Sequence, residues 1–115
     1  MDFQKAQQSG IFKTKIEIGT YFGGKKEDAW VVLREPTAAE ANAMMGIEGA
    51  ELVKRMGKVL PDYIDDHNFV NDGEPVSAEA VGDLLLRSSG AFFYVMRRWQ
   101  ESLPLAKMTA GNSGK

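Results

Sequence analysis

The spacing of apolar residues changes period once, at Glu35-Pro36-Thr37, and this switch does most to limit what the 115-residue chain can fold into. Upstream, Phe12, Thr14, Ile16 and Ile18 alternate with Lys13, Lys15 and Glu17, the period-two pattern of a strand with one wet face. A second strand, Ala29-Trp-Val-Val-Leu-Arg34, is rich in β-branched and aromatic residues and stops before Pro36, whose ring pushes the preceding residue away from helical geometry. Gly23-Gly24 between them can adopt the positive φ of a tight turn, so the pair reads as a β-hairpin, with Trp30, Val32, Ile16 and Ile18 as its preferred core residues and the neighbouring strand residues as the alternative inward side.

Downstream of Pro36 the chemistry is helical. Thr37-Ala-Ala-Glu40 is a capping box that opens a short helix to Met45, and Gly46 and Gly49 break it. Leu52, Val53, Met56, Val59 and Leu60 then recur at three and four residues, leaving Lys54, Arg55 and Lys58 on the wet side. Asp62 to Phe69 is an acidic connector of ambiguous conformation, and Asn71-Asp-Gly-Glu-Pro75 carries loop chemistry. Ser77 is placed to cap a helix over 78–87, and Phe92, Phe93, Val95, Met96, Trp99 and Leu103 form a broad stripe on a last helix ending before Pro104. The expected class is α+β: an N-terminal antiparallel β-hairpin or small sheet followed by a bundle of three to five helices. The expected organisation is a flexible lead-in over 1–10, one domain over 11–104 and a flexible tail over 105–115.

Composition narrows the function. Fourteen basic against sixteen acidic residues give a net charge of −2, too little positive field to gather phosphate backbones, so nucleic acid is not the expected partner. The absence of cysteine removes disulfides, thiolate nucleophiles and Cys-type zinc sites, and fits a reducing cytoplasm. The amino terminus lacks the pattern of a secretory signal, and no segment approaches the ~20 apolar residues of a membrane span.

Two motifs invite chemistry and fall short of it. His67 stands beside Asp62, Asp65 and Asp66, yet one histidine on an acidic connector reads more simply as a solvated stretch than as a metal or acid–base site. Gly19, Gly24 and Lys25 match three positions of a phosphate loop, but Lys26 stands where the magnesium-binding hydroxyl is needed and a strand follows. The expectation is therefore no catalysis, no cofactor and no metal.

What remains is a capacity for binding. Tyr21-Phe22 adjoins the turn, and Phe92, Phe93, Met96 and Trp99 on the last helix cannot all point one way. These six are the candidate partner-binding residues, each weighed against a place in the core.

The hairpin strand Ala-Trp-Val-Val-Leu-Arg-Glu-Pro, the Thr-x-x-Glu helix start and the closing aromatic helix with a short polar tail together resemble the tail assembly chaperones of long-tailed bacteriophages and prophages. That resemblance implies a partner, the apolar helical tape-measure protein and with it the tail tube protein, bound in the cytoplasm of the bacterial host during tail morphogenesis. It also implies absence from the finished virion. A longer form made by programmed ribosomal frameshift, common in such chaperones, would use a slippery heptamer at Ser113-Gly114-Lys115. A structural tail-completion or connector protein, or a small regulator or inhibitor of a host protein, are the alternatives, and self-association is open.

Overall fold

A computed structural model describes residues 2–5 and 12–103. Most of the expected lead-in, the tail over 105–115 and the Ser113-Gly114-Lys115 terminus lie outside the described residues. The architecture is α+β, with β1 (Lys13–Glu17) and β2 (Trp30–Arg34) antiparallel in the first third of the chain. After β2 come α1 (Ala38–Met44), α2 (Gly49–Tyr63), β3 (Ile64–His67), a miniature hairpin of β4 (Val70–Asn71) and β5 (Glu74–Pro75), α3 (Ala78–Arg87) and α4 (Ser89–Ser102).

The sheet has three strands in the order β1-β2-β3, so β2 is central. The acidic connector thus contains a strand: Ile64, Asp66 and His67 pair antiparallel with Leu33, Val32 and Val31, across a bulge between Val32 and Leu33. Asn68 extends this ladder with its side chain, accepting from the Trp30 amide at 2.8 Å and donating to the Asp28 carbonyl at 3.1 Å. Between β4 and β5, Asp72 and Gly73 both take positive φ, 54° and 82°, the two-residue turn whose twist suits a hairpin.

Register decides which face of β2 is buried, and it reverses part of the sequence reading. Ile16 lies opposite Val31 and Glu17 opposite Trp30. Opposed residues share a face, so the inward side is Ile16, Val31 and Leu33, continued by Ile18, all buried. Trp30 and Val32 sit on the outer face, half-buried, where the Lys15 ammonium lies 4.6 Å from the centre of the Trp30 ring. The contrast is testable by urea denaturation. Leu33→Ala should cost about 2–5 kcal/mol for its cavity, and Val32→Ala under about 1 kcal/mol.

The connection from β1 to β2 is not a tight Gly23-Gly24 turn. Residues 18–29 fold into two 3-10 turns, Gly19–Phe22 and Lys26–Asp28, with Gly23 left-handed at φ 82° between them. Helices α1, α3 and α4 begin at side-chain caps: the Glu40 amide donates to Thr37 Oγ1, the Ala80 amide to Ser77 Oγ and the Ala91 amide to Ser88 Oγ. Pro61 is tolerated inside the last turn of α2. Met56 and Leu60 of α2, Val81 and Leu85 of α3, and Phe92, Val95, Met96 and Trp99 of α4 close the core over the inner sheet face.

Candidate functional site

The six candidate residues separate into two groups. Phe92, Met96 and Trp99 are buried, because with Val95 they repeat at i, i+3, i+4 and i+7 and form the inward stripe of α4. Phe93, one residue and about 100° further round the helix, is 56% exposed, and Tyr21 is 41% exposed. Phe22 turns back and packs edge-on against Phe69, ring centres 5.9 Å apart.

Tyr21 and Phe93 stand at one groove of about 480 Å³, lined also by Leu52, Phe92, Tyr94, Met96, Arg97 and Gln100. The Tyr21 ring lies 5.4 Å from that of Tyr94. The Tyr21 ring also lies over Gly90, where a Cβ would sit 3.2 Å from it and push it aside by a few tenths of an ångström. The Phe92 and Phe93 rings meet edge to face at 5.2 Å, so the buried one braces the exposed one. Sequence reasoning missed Tyr94 and Leu52. Tyr94 had a signal, being the third aromatic in a row on a helix, whereas Leu52 reaches the groove only through the packing of α2 beside α4.

A second, more enclosed cavity of about 220 Å³ shares Leu52, Met96 and Gln100 with the groove, and Trp99, Met56, Tyr63 and Leu103 help to form its walls. Its outer side is made by Ala41, Met44 and Ile47, from α1 and the turn after it. No residue of α1 is fully buried, and of its apolar residues only Met44 and Ala41 are half-buried on its inner side.

Its attachment is polar and centres on Arg34. The guanidinium donates to both carboxylate oxygens of Glu40, at 3.0 and 3.1 Å, and to the carbonyls of Asp62 and Glu35, each at 3.0 Å. It also lies 4.7 Å from the centre of the Tyr63 ring, and the Trp99 indole N–H donates to the Arg34 carbonyl at 3.1 Å. These hydrogen bonds from Arg34, with that of the Thr37 amide, hold the Glu40 carboxyl well below the usual carboxylate range, at about 2. The same partnership raises Arg34, while burial pushes the Tyr63 phenol up.

The acidic stretch around His67 does not converge. Asp65 pairs with Lys13 at 3.0 Å on an exposed surface, and Asp66 accepts from the His67 amide at 2.8 Å. His67 Nδ1 accepts from the Phe69 amide at 3.1 Å. Among the described residues no group of three or more His, Cys, Asp or Glu is placed to share a metal ion, and no helix is long and apolar enough to cross a membrane. No protein-family model, curated protein or solved structure matches the chain.

Proposed function

We propose that this protein is a non-catalytic assembly chaperone of the phage-tail type, and that the Tyr21–Phe93 groove receives the apolar face of a helix in a tape-measure protein. The observation that carries the reading is a large aromatic ring, Phe93, left more than half exposed on a helix whose other face is packed, at the edge of an aromatic groove. An exposed ring of that size beside a concavity is the kind of anchor that helix-in-groove recognition uses. Arg97 and Gln100 at the groove supply a polar rim, and Met44, Met56 and Met96 lining the adjoining cavity supply side chains that repack around varied apolar partners. Weak binding at many similar sites along one long client would sum to useful avidity. The proposed setting is the cytoplasm of a bacterial host before the tail is complete.

Co-expression with the tape-measure protein of the same genome tests this. The parent chain should raise the client's soluble fraction severalfold. Phe93→Asp should abolish the gain with its own stability changed by no more than about 0.5 kcal/mol, since the site is exposed. A client whose solubility is indifferent to the parent chain ends the proposal. Mass spectrometry of purified particles gives a second reading, with the chain expected to be missing.

A further inference from the structure

The outer edge of β1 carries backbone groups that β2 does not use. The Glu35 amide donates to the Phe12 carbonyl and the Ile18 amide to the Ala29 carbonyl, which fixes the parity of the β1–β2 ladder. Phe12, Thr14, Ile16 and Ile18 turn their backbone groups toward β2. Lys13, Lys15 and Glu17 therefore turn theirs away from it, and β1 is the edge of the sheet. Among the described residues no backbone group meets them there. A row of unpaired donors and acceptors is a template for another strand.

We infer that two copies join antiparallel through β1, with the two-fold axis at Lys15, to make one continuous six-stranded sheet. In that register Lys13 of each copy faces Glu17 of the other, giving two cross-strand pairs of opposite charge. The layer above the sheet agrees. A recess of about 270 Å³ runs along this edge, lined by Thr14, Ile16, Arg98, Glu101 and Ser102. Thr14 Oγ1 lies 2.7 Å from Ser102 Oγ at one end of α4, while Tyr21, beyond the far end of β1, meets Gly90 at the other, so α4 runs antiparallel to β1. The two-fold sets Thr14 opposite Ile16 of the second copy.

Lysine on an edge strand ordinarily discourages pairing. Here Lys13, held at 3.0 Å from Asp65 in its own chain, also meets Glu17 of the second copy, and Lys15, the one residue facing its own copy, has its ammonium drawn over the Trp30 ring. The second copy is thus favoured over an arbitrary extended peptide by the order of charges along β1 itself. This inference uses a different surface from the groove and stands independently of the function proposed above.

The chain has no cysteine, which permits a direct test on the full-length protein. Directly opposed residues in such a pair have Cα atoms about 5.5 Å apart, within disulfide range. Lys15→Cys should give a covalent dimer under mild oxidation. Lys13→Cys should not, because the two copies of position 13 stand four residues apart in this register, roughly 13 Å along the strand. Sedimentation equilibrium should show a dimer of the parent chain, weakened about tenfold or more by Glu17→Lys, which opposes like charges twice. The swap Lys13→Glu with Glu17→Lys should restore it when Asp65→Asn is added, which removes the carboxylate that Lys13 pairs with in its own chain, and circular dichroism should confirm that each variant is folded. A parent chain monomeric at every concentration overturns the inference, as does equal cross-linking from positions 13 and 15 or a dimer indifferent to Glu17→Lys.

Discussion

Gly19→Ala is expected to lower the melting temperature by about 12 °C or more, the equivalent of at least about 3 kcal/mol in a domain of this size. Gly19 is buried at the start of the first 3-10 turn, where the 18–29 connection folds back on itself. The Gly24 amide donates to the Gly19 carbonyl at 3.0 Å, and the segment beyond returns so close that a Cβ on residue 19 would collide with the Lys25 carbonyl oxygen. The obstacle is backbone, so no rotamer change relieves it, and Lys25 is itself tied by its amide to Asp28 at 2.8 Å. The loop must open or the chain must unfold. Gly23→Ala is the control: nothing lies within 4 Å of its Cβ, and its φ of 82° makes the penalty conformational, about 1 kcal/mol. Thermal melts followed by circular dichroism separate the two. Equal losses at both positions would mean that the connection is not folded as described. Because Tyr21 rides on this turn, Gly19→Ala should also disturb the groove.

That loop shows where sequence reasoning reaches and where it stops. Glycine at positions 19, 23 and 24 announces a turn, and Gly23 does adopt the left-handed conformation expected of such a residue. The reason for Gly19, a carbonyl six residues away, is tertiary and leaves no local trace. The starts of α1 and α3 were legible because Thr37 and Ser77 act on amides three residues ahead. The inward face of β2 was not, since Trp30-Val-Val-Leu33 is apolar at every position and contains no alternation to read. Only its register against Ile16 decides the matter. β3 was hidden for a related reason: half of Ile64-Asp-Asp-His67 is charged, and its strand geometry comes from the partner β2 and not from its own pattern. Asp72-Gly73 did carry a hairpin signal, but two-residue flanks gave it no periodicity to support. In the candidate site, the helical spacing of Phe92, Val95, Met96 and Trp99 already sets Phe93 apart, whereas the facing wall from Leu52 depends on how α2 and α4 pack.

Arg34→Met should cost about 2–3 kcal/mol and release α1. The ion pair with Glu40 is partly shielded, its side chains 22% and 32% exposed, so its loss falls between that of a surface pair and the larger cost of breaking a fully buried one. More is lost than charge attraction, because one planar guanidinium joins β2 to the capping box of α1 and to the carbonyl of Asp62 at the end of α2. Arg34→Lys keeps the charge but cannot reproduce the fork, and should recover less than half of the deficit. Hydrogen exchange over 38–47 should accelerate in both variants, exposing the cavity walled by Met44, Ile47 and Trp99, while the Ile16, Val31 and Leu33 core stays protected. The pH dependence carries a definite sign. Glu40 has a lower pKa folded, about 2, than its ordinary 4.5, so its stabilising effect is complete above 4.5 and fades as pH falls toward 2. Melts from pH 6 to pH 2 should therefore show the parent chain ahead of Glu40→Gln at the upper end, with the gap closing across that window. A gap that stays constant down to pH 2 would show that the carboxylate does not hold α1 through Arg34.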